Sequence, residues 1–148
     1  MKKNKIKLTE QNFQNLVSYW AGKLNLPLPL FCRDNRMSDS AGIYYCDDCN
    51  YFTFRYNFRS IKTLIDEIII GLIFHELGHI KYKHKIETIK SERQAEKFAL
   101  KCVKKYYPDY LKVMIKNIKR QLKDKKWRKE YPTHAKAFDK IEEYQNVQ

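Results

Sequence analysis

Features that mark exported, membrane-spanning or multidomain proteins are missing from this chain. Lysines near the N-terminus are not followed by an apolar run, so we expect no secretory signal. The apolar stretch at residues 68–74 is far too short to span a bilayer. No internal repeat, Gly/Ser linker or low-complexity block beyond lysine enrichment is present, which predicts one domain over residues 1–148. These absences together predict a cytoplasmic protein without a membrane span.

Cysteine is also sparse, and four residues in a chain of this length fit a reducing compartment. Two of them, Cys46 and Cys49, form a Cys-x-x-Cys pair that could bind a second metal or close a disulfide. Because no second Cys-x-x-Cys is present to complete a four-thiolate zinc site, free thiols are the favoured prediction.

The most informative residues that are present form an HExxH motif, His75-Glu76-Leu77-Gly78-His79. Its two histidines lie one helical turn apart on the same face, so both imidazoles can reach one metal ion. Glu76 lies beside that face, where its carboxylate can accept a proton from a metal-activated water. The motif therefore predicts a metal site with a general base next to it. The alternative is a pair of surface histidines on an amphipathic helix.

The motif lies within a predicted helix over residues 61–82. Apolar residues recur at helical spacing after Ser60, which we expect to be the N-cap. Gly78 costs about 1 kcal/mol relative to Ala inside a helix, and its presence suggests that another segment approaches closely there.

A third histidine ligand is excluded in its usual position. The pattern HExxHxxGxxH would require Gly and His where this chain has Tyr82 and Lys85. His84 follows His79 by five residues and would point away from the metal face on a continuing helix, so we predict that it is solvated.

Two glutamates downstream are candidate partners of the histidines. Residues 91–94 have the pattern of a capping box and predict that a helix begins at Ser91. Glu92 and Glu96 then share a face, so that Glu92 could bind zinc while Glu96 holds a ligand imidazole by its second ring nitrogen. The alternative is two solvated glutamates on a lysine-rich helix.

The motif HELGH followed by Glu-x-x-Ala-Glu-x-Phe-Ala resembles the gluzincin metallopeptidases. The most similar are the compact ones, namely minigluzincins, Ste-type CAAX-protease relatives and ImmA/IrrE-like peptidases. The resemblance covers about residues 40–100 and implies that His75, His79 and Glu92 bind one Zn²⁺ while Glu76 is the general base. Glu96 stands where these families usually have Asp or Asn. The segment at residues 131–134 looks like the His-containing C-terminal segment of some members.

The predicted fold class is α+β. We expect a compact zincin-like domain in which a small antiparallel sheet or hairpin packs on the HExxH helix, with additional C-terminal helices. Its core would span about residues 40–107, and residues 108–148 would form a basic helical part. Aromatic and β-branched runs at residues 42–46 and 51–56 predict the hairpin, with Phe52, Phe54 and Tyr56 on its packed face.

That hairpin has two interpretations. Small metallopeptidases hold a substrate as an added strand on a sheet edge. Alternatively, the hairpin only covers the core. Elsewhere, Thr9 is expected to cap a first helix, residues 25–30 to be extended or loop, and further helices to follow Pro108 and Thr133.

A formal net charge of +13 is concentrated in lysines after residue 100. Such a strip could attract nucleic acid or acidic partners, but solvated lysine-rich helix faces are the favoured interpretation. A DNA-associated SprT/Spartan-like protease would reconcile charge and motif, although those relatives use a third histidine.

Two functions therefore remain. The first is a zinc metalloendopeptidase acting on protein or peptide, and the second is a nucleic-acid- or protein-binding module with a structural or vestigial zinc site. An open fourth coordination position would favour the enzyme.

Overall fold

A computed structural model describes residues 8–139 and residue 141. These residues form seven helices and three strands, which confirms the α+β prediction. None of the helices in this part of the chain is both long and apolar enough to cross a membrane. The elements in chain order are α1 (Glu10–Lys23), β1 (Leu30–Arg33), β2 (Ala41–Cys46), β3 (Tyr51–Tyr56), α2 (Phe58–Ile61), α3 (Asp66–Lys81), α4 (Ile89–Tyr106), α5 (Pro108–Lys123), α6 (Lys125–Glu130) and α7 (Pro132–Phe138).

The chain divides into two compact units, residues 1–63 and residues 64–148. The first contains α1, α2 and the sheet, and the second contains α3 to α7. The predicted single domain, its core at about residues 40–107 and the packing of the sheet on the HExxH helix stay predictions.

In the first unit, α1 begins where the sequence predicts. The Thr9 hydroxyl accepts a hydrogen bond from the Asn12 amide at 3.1 Å, which confirms Thr9 as the N-cap. The Phe13 ring on α1 lies 5.9 Å from the ring of Phe54 and 5.4 Å from that of Tyr56, between ring centroids. The apolar face of α1 therefore packs on the aromatic face of β3.

The sheet has the strand order β1-β3-β2. The predicted hairpin is confirmed as β2 and β3, and Phe52, Phe54 and Tyr56 are buried as expected. A third strand, β1, pairs in parallel with β3 and was not predicted, so the sheet is mixed. With only four residues, β1 is too short to show an alternating pattern, and it is held by its Phe31 ring, 6.0 Å from that of Phe54.

The helix that carries HExxH begins later than predicted. Residues 58–61 form the separate helix α2, capped by the Asn57 side chain, which accepts from the Ser60 amide. Ser60 is thus not the N-cap of the long helix. The backbone at Ile65 is extended, and α3 begins at Asp66 with two acidic residues in its first turn, which favour a helix N-terminus.

In the second unit, α4 packs against α3, α5 and α7. Its N-cap is Thr88, three residues before the predicted cap Ser91, which is instead the third residue of a reciprocal capping box. The helix after Pro108 is confirmed as α5, the helix expected after Thr133 begins at Pro132, and α6 was not expected from the sequence.

The close approach predicted at Gly78 is confirmed. A Cβ atom at this position would lie 3.0 Å from the Cα atom of Ala95 on α4. The small residue therefore lets the backbones of α3 and α4 come together at the end of the HExxH motif.

Candidate metal centre

The nitrogen and oxygen atoms of three predicted ligands converge at one point between α3 and α4. The Nε2 atoms of His75 and His79 are 3.2 Å apart. The Glu92 carboxylate faces both rings, with Oε2 at 2.9 Å from His75 Nε2 and Oε1 at 3.2 Å from His79 Nε2. One donor atom from each residue lies within 4.8 Å of the others, and the cluster is largely buried.

This donor set fits zinc. Two imidazole nitrogens and one carboxylate are the ligands of many catalytic zinc sites. Tetrahedral zinc with bonds of about 2.0–2.1 Å holds neighbouring donor atoms about 3.3 Å apart. The separations of 2.9 to 3.2 Å among His75, His79 and Glu92 are close to that value, so the donors need little movement to share an ion.

Glu96 supports His75 from the other side of its ring. His75 Nδ1 donates to Glu96 Oε2 at 2.7 Å, and both side chains are buried. Burial lowers the pKa of His75, but hydrogen bonds with Glu92 and Glu96 outweigh it and hold the pKa well above its ordinary value. The geometry is the carboxylate–imidazole arrangement that orients metal-binding histidines.

Glu76, the predicted base, is buried and has an unsatisfied oxygen. Its Oε2 atom has no hydrogen-bond partner among residues 8–139 and 141. Burial raises the pKa of Glu76, while the charges of His75 and His79 lower it in part. A buried carboxylate oxygen without a partner is costly in a folded protein, and such groups are typical of sites that bind a ligand.

The prediction that His84 is solvated is wrong. His84 is half-buried, and its Nδ1 atom lies 2.9 Å from Nδ1 of His79. Its Nε2 atom donates to Oε1 of Gln94 at 2.7 Å. Burial lowers the pKa of His84 below its ordinary value.

The wrong prediction has a structural cause. The helical spacing applies only as far as Lys81, where α3 ends, and Lys83 adopts a left-handed conformation with φ of 53°. The chain therefore turns back and brings His84 beside His79. Gly or Asn usually occupies the left-handed position of such a turn, so a lysine there does not predict that the helix ends.

His134 on α7 also lies beside the cluster. It belongs to residues 131–134, the segment that looks like the His-containing C-terminal segment of some gluzincins. Its Nε2 atom is 3.1 Å from Glu92 Oε2, and its Nδ1 atom is 3.4 Å from Glu87 Oε1. Burial lowers the pKa of His134, but the bond with Glu92 outweighs it and raises the pKa.

Glu92 is therefore surrounded by imidazoles. Burial raises its pKa, yet hydrogen bonds with His134, His75 and His79 outweigh burial and hold the pKa far below its usual range. Glu87, Glu92 and His134 form a second group whose spacing could hold a metal. Because the two carboxylates face opposite nitrogens of one ring, this group fits hydrogen bonding better than chelation.

The Cys-x-x-Cys pair lies elsewhere, at the β2–β3 turn. Cys46 and Cys49 are not joined by a disulfide, and free thiols stay the favoured prediction. No group of three metal-binding side chains includes a cysteine within the described part of the chain.

Comparison of the chain with protein-family models, with curated proteins and with solved structures finds no match in any of the three. The resemblance to gluzincins therefore rests on the motif residues, and zinc binding and peptidase activity are proposals.

Proposed function

We propose that this protein is a zinc-dependent metallopeptidase that hydrolyses peptide bonds. The observation that supports it most strongly is the convergence of His75, His79 and Glu92 beside the buried, unsatisfied carboxylate of Glu76. Two histidines and a carboxylate leave a fourth position for water or substrate, as catalytic zinc sites require. A protein or peptide substrate in the cytoplasm is part of this proposal.

Within this proposal each residue has a separate role. Zinc, when bound, acts as a Lewis acid that acidifies water and polarises the scissile carbonyl. His75, His79 and Glu92 hold the ion, and Glu96 orients the His75 ring. Glu76 accepts a proton from the attacking water and passes it to the leaving amine.

A second candidate function follows from the position of His134. Its ring lies 3.1 Å from Glu92, close enough that a modest shift would let it become a fourth ligand. A four-ligand site would be structural, and the protein would then be a binding module for protein or nucleic acid. His134 is not a member of the His75, His79 and Glu92 cluster, which favours the open, catalytic arrangement.

The test is to load zinc into the wild type and Glu76→Gln and to incubate both with a peptide library. Glu76→Gln should keep zinc at one equivalent and lose nearly all cleavage, because the ligands are unchanged and the proton acceptor is gone. Metal analysis and mass spectrometry of the peptides measure the two properties separately.

Glu67→Gln is the matched control, since it makes the same change in the first turn of the same helix. It should cleave as the wild type does. Equal turnover by Glu76→Gln and the wild type would contradict the role of Glu76. A wild type that binds zinc but cleaves nothing would favour the structural zinc site.

A further inference from the structure

The end of helix α3 is built to hold His84 against His79. The Lys83 amide donates to the Ile80 carbonyl at 3.1 Å, and the His84 amide donates to the His79 carbonyl at 3.0 Å. With Lys83 in the left-handed region, these two bonds form the Schellman arrangement of a helix C-terminus. The backbone thus fixes the position of His84 one residue after the reversal.

The His84 side chain is fixed on three sides. Its ring lies edge-on to that of His79 at a centroid distance of 5.1 Å, and the Tyr82 ring stacks on it at 5.8 Å. The Gln94 side chain on α4 bonds its Nε2 atom. His84 consequently has little freedom to turn its Nδ1 atom away from His79.

The proton positions follow from the chemistry of each partner. A metal-bound imidazole offers a lone pair on one nitrogen and carries its proton on the other. If His79 binds zinc through Nε2, its Nδ1 carries a proton and needs an acceptor, and the atom within reach is Nδ1 of His84 at 2.9 Å. His84 can accept there only if its own proton is on Nε2. Gln94 Oε1, which accepts but cannot donate, is bonded to that nitrogen.

We propose that His84, held by Gln94, is a positioning residue that fixes the tautomer and ring orientation of His79 for zinc binding. The inference rests on the proposed function, since it requires zinc at His75, His79 and Glu92. It differs from the arrangement at His75, where a buried carboxylate accepts the outer proton. At His79 the acceptor is instead the neutral imidazole of His84, which follows the C-terminal end of α3.

The test uses two replacements of the same shape. Asn has an amide oxygen near the position of the His84 Nδ1 atom, whereas Leu has the same branching without a polar atom. His84→Leu should bind zinc about 10–100-fold more weakly, which is the usual loss for a missing outer-shell partner, and His84→Asn should stay within about tenfold of the wild type. Chelator competition measures both, and Ile86→Ala, at a side chain 74% exposed in the same loop, is the control.

A spectroscopic measurement on the unmodified protein does not depend on how the variants fold. Long-range proton–nitrogen correlation spectra of the zinc-loaded, isotope-labelled wild type report which ring nitrogen carries each proton. We expect the proton on Nδ1 of His79 and on Nε2 of His84. A proton on Nδ1 of His84, or zinc bound to Nδ1 of His79, would overturn the inference.

The possible outcomes separate the two proposals. If the wild type binds no zinc, the proposed function and this inference fail together. If the wild type binds zinc and His84→Leu binds it equally well, only the inference fails. Equal weakening in His84→Asn and His84→Leu would also overturn it, because the acceptor atom would then not be what matters.

Discussion

The two histidines of the HExxH motif have different hydrogen-bond partners on the ring nitrogen that faces away from the cluster. We call the buried side at His75 the inner end of the site and the half-buried side at His79 the outer end. At the inner end, His75 donates to the buried carboxylate of Glu96 at 2.7 Å. At the outer end, His79 faces the half-buried ring of His84 at 2.9 Å, and His84 in turn bonds Gln94. Hydrogen bonds to a charged acceptor are about twice as strong as neutral ones. The inner end should therefore contribute more to zinc affinity.

Glu92 is common to both ends, so its removal should have the largest effect. Its two carboxylate oxygens contact His75 and His79 separately. Glu92→Ala removes one of the three proposed protein ligands, and we expect the zinc affinity to fall by more than the roughly 100-fold upper range for outer-shell partners. Chelator competition followed by metal analysis measures the loss.

Glu87→Ala is the matched control for this change, because it removes an exposed carboxylate five residues earlier. It should bind zinc nearly as the wild type does. If Glu92→Ala kept full zinc stoichiometry in dilute chelator, Glu92 would not be the third ligand, and His134, whose Nε2 atom lies 3.1 Å from Glu92, would be the next candidate.

A direct comparison of the two ends is the next test. Glu96→Ala should weaken zinc binding about 10–100-fold, and Glu96→Gln, which retains an acceptor oxygen without the charge, should weaken it less. On the charge argument, the loss in Glu96→Ala should exceed the loss in His84→Leu. The same chelator titration ranks all three variants, and a larger loss in His84→Leu would reverse the order of inner and outer ends.

The inner end could be predicted from the sequence because all of its residues lie on two helices. A 3.6-residue period relates His75 to His79 and Glu92 to Glu96, so a shared face follows from spacing alone. An error of three residues in the start of α4 did not change this, since the same residues stay on the same face.

The outer end could not be predicted, because it depends on where a helix stops. Lys83 has a φ of 53° without being Gly or Asn, so the sequence shows no sign of the reversal that returns His84 to His79. The same limit applies to β1, whose four residues take their strand conformation from pairing with β3. His134 was visible only through the resemblance, because its approach to Glu92 depends on the packing of α7 on α4.

The smallest expected effect on zinc affinity comes from replacing a glycine of α3. Gly78 and Gly71 test whether the inner and outer ends of the site depend on the distance between α3 and α4. At Gly78 an added Cβ atom would meet the Ala95 backbone at 3.0 and 3.1 Å, and backbone cannot move aside. Such overpacking costs about 1–3 kcal/mol. Replacing Gly in a helix returns about 1 kcal/mol, so we expect Gly78→Ala to lower the free energy of unfolding by up to about 2 kcal/mol. Zinc affinity should fall less than tenfold.

Gly71→Ala makes the same change in the same helix against a different neighbour. The three nearest atoms to the added Cβ atom would belong to the Met114 side chain, at 3.0 to 3.3 Å, and an unbranched thioether can change rotamer. Helix propensity should then dominate, so Gly71→Ala should match the wild type or gain up to about 1 kcal/mol. Urea unfolding of the metal-free proteins measures both variants. Equal destabilisation at the two positions would mean that contact with the α4 backbone is not what requires glycine at position 78.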